Sequence, residues 1–196
     1  MKIFRYEDSL TSLANSPEPT IFLAGPTVRG HQPHLTSWRF EAIEEFKKHQ
    51  NDEQIWKKFN GNLIVPEFTD PRESDKDKMW IPRWEFYGLN ICDLIMFWVP
   101  RTKELIGLTT NHEIGYWMGQ CRDKVLYGRP NDSYRNAYLD IMWEMDSEQN
   151  DKMWTPIYRD LPTLVGKSLE FAQLNASCRK RFRVISKIPI GSPYGD

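Results

Sequence analysis

Apolar positions along this chain follow two rhythms. Short unbroken runs alternate with stretches where apolar residues return every three or four positions. Thr20-Ile21-Phe22-Leu23-Ala24-Gly25-Pro26 is a run ended by Gly-Pro, and it reads as a buried strand feeding a loop. After a polar stretch from Thr27 to Thr36, Trp38, Ala42 and Phe46 recur at i, i+4 and i+8, with Ile43 beside them. Arg39, Glu41, Glu44, Lys47 and Lys48 fill the other positions of this expected helix. Asn60-Gly61-Asn62 opens a second run, Leu63-Ile64-Val65-Pro66. A charged loop from Thr69 to Lys78 leads to a helix expected from about Pro82 to Cys92, with the proline suited to its first turn. Asp93-Leu94-Ile95-Met96-Phe97-Trp98-Val99-Pro100 is the strongest strand candidate. A further helix is expected near Thr110, with Ile114, Trp117, Met118 and Cys121 on one face, and Lys124-Val125-Leu126-Tyr127-Gly128 reads as a last short strand.

Apolar strands alternating with amphipathic helices predict an α/β fold with a parallel sheet covered on both faces. In such sheets ligands sit outside the carboxyl ends of the strands. That rule points to the loops after Gly25, Pro66, Pro100 and Gly128. From Pro130 onward the pattern changes. The chain is rich in Asn, Asp, Tyr, Met and Trp, then shows a weak helical pattern at Leu164, Val165, Leu169 and Ala172, and reaches Cys178-Arg179-Lys180-Arg181-Phe182-Arg183. We read one domain over 1–196, with a core at about 20–130 and an extension at about 131–196 packed on the sheet.

Composition narrows the function classes. Among 196 residues, 40% are hydrophobic and 27% charged, which suits a folded core and not a disordered chain. Lys+Arg 26 against Asp+Glu 27 argues against a protein that coats nucleic acid or an anionic membrane. No apolar run approaches the roughly 20 residues of a membrane helix. The opening Met1-Lys2-Ile3-Phe4-Arg5-Tyr6-Glu7-Asp8 lacks the order of a signal peptide. Three scattered cysteines fit neither a disulfide framework nor a CxxC zinc site. The expectation is a cytoplasmic protein with no metal, no organic cofactor, no nucleic-acid polymer partner and no membrane. Aromatic residues at 13% are enough to line a pocket for a flat ligand, although such residues also fill cores and interfaces.

Four features fall near the expected strand ends. In Gly25-Pro26-Thr27-Val28-Arg29-Gly30, backbone N–H groups and Arg29 could hold a phosphate or sugar hydroxyls, and a plain strand-to-helix turn is the alternative. Thr110-x-x-Glu113 fits a helix capping box. It also fits a carboxylate kept ionised by the positive end of a helix and available as a nucleophile. Trp84-Glu85 precedes Asp93 by eight residues from the glutamate. One carboxyl could donate a proton while the other fixes the start of the strand, and a solvated helix glutamate is the alternative. His112 beside Glu113 points about 100° away, so the two form no catalytic pair, and His31 and His34 complete no zinc spacing.

Taken in order, Phe22 to Thr27, Ser37-Trp38-Arg39, Val65-Pro66-Glu67, Trp84-Glu85, Asp93 to Arg101 and Thr109 to Tyr116 resemble the nucleoside 2-deoxyribosyltransferase superfamily. The resemblance covers about 20–130 and implies a flavodoxin-like fold acting on N-glycosidic bonds of deoxynucleosides. It implies that Glu113, in Glu113-Ile114-Gly115, attacks the anomeric carbon and forms a covalent deoxyribosyl intermediate. Glu85 would handle the proton of the base, standing where better-known members carry an aspartate. Those members have an aspartate and small residues just before the nucleophile. Here Gly107-Leu108-Thr109-Thr110-Asn111 takes that place, so either Asn111 and the threonines would meet the sugar or the preferred sugar differs.

The resulting substrate set is Gly25, Pro26, Thr27, Arg29, Trp38, Trp84, Asp93, Thr110, Asn111 and Tyr116, with Trp38, Trp84 and Tyr116 flanking the base. The partners implied are a nucleoside or nucleotide, a free base and further copies of the chain. An interface rich in aromatics and Met would account for the composition from Tyr134 to Trp154. Hydrolysis of a 5′-monophosphate, with Arg29 on the phosphate, and a catalytically silent nucleotide-sensing module are the alternatives.

Overall fold

The computed structural model describes residues 1–51, 58–75, 78–149 and 155–178. Five strands pair in parallel: β1 (Lys2–Phe4), β2 (Thr20–Ala24), β3 (Asn62–Ile64), β4 (Leu94–Trp98) and β5 (Val125–Gly128). Their order across the sheet is β1-β3-β2-β4-β5. Phe22 stands level with Ile64 of β3 on one side and with Ile95 of β4 on the other. The protein is thus of the α/β, flavodoxin-like class. Each of the four apolar runs forms a strand, because unbroken apolar residues suit a sheet buried on both faces.

Successive side chains serve opposite layers. Ile21, Leu23, Leu94, Met96 and Trp98 point to one face, covered by α1 (Trp38–Lys48) and α5 (Leu161–Ser177). Phe22, Ala24, Ile95, Phe97 and Tyr127 point to the other, covered by α2 (Ile81–Ile91), α3 (Leu108–Gln120) and α4 (Ala137–Gln149). Helix starts are marked as their sequences allow. Ser37 accepts from the Arg39 amide and Asp160 from that of Thr163, while Pro82 sits in the first turn of α2.

Two elements have no counterpart in the apolar pattern. β1 is three residues long at the sheet edge, and α4 lies in the stretch that reads only as an extension. That region is part of the sheet's covering: Trp143 of α4 packs 5.4 Å from Tyr127, and Leu164, Val165 and Leu169 of α5 are buried on the other face. Tyr138, Ile141, Met142 and Met145 face outward from α4, whereas Trp154 and the basic 179–183 segment lie outside the described residues.

From β2 the chain moves to β3 on one side, then returns across β2 to β4 on the other. The carboxyl ends of β2 and β4 therefore form the switch point where such sheets open a crevice.

A candidate active site between two carboxyl groups

At that crevice lies a cleft of about 410 Å³. One wall is Gly25, Pro26, Thr27 and Arg29 from the loop after β2. The opposite wall is the loop after β4, from Glu104 to Gly107, with Leu108 at the start of α3. Glu85 of α2 and Glu113 of α3 both line the cleft.

Close backbone approach builds the first wall. Gly25 has φ 148°, and a Cβ there would lie 2.1 Å from the Trp98 carbonyl oxygen, so only glycine lets β2 leave the sheet beside β4. Arg39 holds the loop from beneath. Its Nε donates to the Leu23 carbonyl at 2.9 Å, Nη2 to that of Gly25 at 2.9 Å, and Nη1 to Glu67 Oε1 at 2.8 Å. Ser37 Oγ also donates to Glu67 Oε1, at 2.6 Å. The helical pattern places Arg39 among polar positions, yet it is 1% exposed, because its five-donor fork matches the carbonyls that the Gly25 turn leaves unpaired.

The second wall meets the first at Gly107. This residue caps α3 with φ 60°, and a Cβ on it would come 2.7 Å from Pro26 Cγ. No side chain caps α3, and Thr110 lies inside the helix, so the expected capping box does not form. The start of α3 is tied down from below by Arg101, whose Nη2 donates to the Gly107 carbonyl and to Asn111 Oδ1.

Glu85 accepts a short hydrogen bond from the Tyr6 hydroxyl. Tyr6 is itself buried among Phe68, Trp80 and Trp84, which fixes the phenol that orients the carboxyl. Burial raises the pKa of Glu85, while Tyr6, Arg39 and Arg29 oppose the rise. Glu113 is pushed up to about 8, first by burial and then by the charge of Glu85, with Arg39 opposing. The helix end does not keep Glu113 ionised as expected. It is the sixth residue of α3, beyond the first turn where the dipole acts, and desolvation wins. Burial thus pushes both carboxyls toward the protonated form, and the pair favours holding a proton at neutral pH.

The sign of the stability effect follows. The folded state holds a proton on Glu113 up to about pH 8, against an ordinary 4.5. Its contribution is complete below pH 4.5 and is lost as pH rises through about 8. Glu113→Gln removes this titration, so its stability advantage over the parent grows across that interval toward roughly 4–5 kcal/mol. Urea melts at pH 5 and pH 9 measure the difference, and parallel pH slopes for the two proteins would contradict it.

The structure brings Gly25, Pro26, Thr27, Arg29, Glu85, Thr109 and Glu113 together and leaves the other expected residues elsewhere. Trp84 is in the core, its indole donating to the Asp8 carbonyl at 3.0 Å. Trp38 supports the loop from outside the cleft, with Nε1 3.0 Å from the Pro26 carbonyl oxygen. Asp93 sits at the amino end of β4, where Oδ2 accepts from the Thr20 amide at 2.8 Å. Thr110 is buried within α3, and Asn111 is engaged by Arg101. Tyr116 packs against His112 and Trp117 on the outer side of α3. Aliphatic Ile81, Leu105, Ile106 and Leu108 supply the apolar lining that the indoles were expected to give.

Sequence reasoning missed Tyr6, while Glu67 entered only as part of a matched segment and Arg39 as a polar helix position and part of another. Among the described residues no three His, Cys, Asp or Glu side chains gather as a metal site, and no helix is long and apolar enough to cross a membrane. Set against known proteins, the chain matches no family model and no curated protein.

Proposed function

We propose that the cleft breaks the N-glycosidic bond of a 2′-deoxynucleoside and passes the sugar to a second base. The observation that carries this reading is that Glu85 and Glu113, from different helices, line one crevice at the switch point of the sheet and raise one carboxyl toward neutrality. Glu113 bonds to C1′ as the C1′–N bond breaks, and the electron pair leaves with the base, whose nitrogen takes a proton from Glu85. A second base then attacks C1′, the ester to Glu113 breaks, and the incoming nitrogen returns its proton to Glu85. Water in place of that base gives hydrolysis. Both carboxyls are pushed toward the protonated form, and attack needs the pair's proton on Glu85 with Glu113 ionised.

Glu85→Gln tests the proton transfer. Turnover of substrates with poorly leaving bases is expected to drop about 10²–10⁴-fold, while those with activated bases lose far less. Uniform losses across a graded set of leaving groups would remove Glu85 from that role.

The resemblance in sequence supports the substrate class. A second reading, hydrolysis of a nucleoside 5′-monophosphate, is favoured by Arg29 and His31 in the cleft lining, where they suit a phosphate. Incubation with deoxynucleosides and monophosphates, with and without an acceptor base, separates exchange from release. A silent nucleotide-binding module predicts neither. The proposal includes a cytoplasmic homo-oligomer, its copies meeting over the outward apolar face of α4.

A further inference from the structure

A second cavity, of about 540 Å³, opens at the same end of the sheet but on the side of α1 and α5. It is larger than the carboxyl cleft and is separated from it by Trp38 and by Leu105, which lines both. Aromatic walls come from Trp38 and Phe40 of α1 and Trp98 of β4. Pro130 and Leu161 add apolar surface. Among the described residues of the lining, the ionisable side chains are Glu41 and Asp160, while the Arg39 guanidinium lies over the Trp38 ring at 4.7 Å with its charge paired to Glu67. The carboxyl cleft differs sharply, since Arg29 and Arg39 there face its glutamates.

We infer that this second cavity binds a flat organic cation, an aromatic ring bearing an amidine or amine. Its volume suits one small ligand, and its walls suit an apolar ring. Aromatic side chains attract a cation as well as an apolar body. Helix starts oppose this choice of charge, because α1 and α5 both begin at the cavity. Each helix end carries about half a positive charge and the Arg39 charge over Trp38 is balanced by Glu67, whereas Glu41 and Asp160 carry a full negative charge each, so the acids prevail. Half of Phe40 remains exposed, which leaves a ring face for the ligand to cover.

Benzamidine is the probe, with benzoate and benzamide as its anionic and neutral counterparts. Titration of the ¹⁵N-labelled protein is expected to move the indole N–H signals of Trp38 and Trp98 in the order benzamidine, benzamide, benzoate. The signal of Trp84, beside the carboxyl cleft, should stay in place. Glu41→Gln with Asp160→Asn, the asparagine keeping a helix cap, is expected to weaken benzamidine binding about five- to tenfold. Glu85→Gln should leave it unchanged. Preference for benzoate would mean that the helix ends dominate, and the inference would fall. It falls equally with no shift at millimolar benzamidine, with unaltered affinity in the double variant, or with a response confined to Trp84 and lost in Glu85→Gln.

Discussion

Glu113→Ala is expected to abolish turnover, by at least about 10³-fold, while the protein stays folded. On the proposed reaction, removing the carboxyl deletes the group that captures C1′, together with a proton site raised to about 8. A 2-fluoro-deoxynucleoside carrying a good leaving base should trap the sugar on the parent protein, because fluorine beside the anomeric carbon slows breakdown of the adduct. Mass spectrometry of a digest is expected to place that adduct on Glu113 and to find none in the variant. The pH profile alone does not divide the roles. Activity requires one proton on the pair, so kcat/KM should fall above about pH 8 whichever carboxyl holds it. An adduct on Glu85 would exchange the two roles and keep the reaction. Full turnover by Glu113→Ala would end the proposal.

Arg39→Met is expected to cost about 3–5 kcal/mol of stability in urea titrations. The change leaves Glu67 buried without its cation and takes the donors from the Leu23 and Gly25 carbonyls. Glu67→Leu in the same chain should recover part of the loss by removing the stranded charge, although the two carbonyls stay unpaired. Arg39 also opposes the rise in both cleft carboxyls, so Arg39→Met should shift the alkaline limb of the activity profile upward. A loss under about 1 kcal/mol would show that water satisfies the loop as well as the guanidinium does.

The sheet and most of its helices can be read directly from unbroken and periodic apolar segments. α4 cannot, because Leu139 and Trp143 turn inward while Tyr138, Ile141, Met142 and Met145 turn outward, leaving no polar stripe to mark a face. β1 is too short for any period. Site residues that follow a strand end were legible from position: the Gly25 loop directly, and Glu113 through the helix after β4. Others fail for geometric reasons that the sequence itself contains. Trp84 adjoins Glu85 on a helix, and neighbours about 100° apart do not face the same cleft. Asp93 begins a parallel strand whose carboxyl end, about 17 Å away, faces the crevice. Arg39 was placed with the polar residues because its partner Glu67 is 28 residues distant, a contact that no local pattern signals.

The position of β1 sets an order of assembly. Lys2 pairs with Asn62, and Tyr6 reaches Glu85 across 79 positions of sequence, so residues 2–6 meet partners that are synthesised well after them. Until Glu85 has been synthesised, the Tyr6 hydroxyl lacks the carboxyl it holds in the folded protein. Docking of β1 and the Tyr6 that follows it therefore completes the surroundings of Glu85, and a chain that has formed β2 to β5 without β1 would have its sheet centre built and Glu85 without its phenol partner.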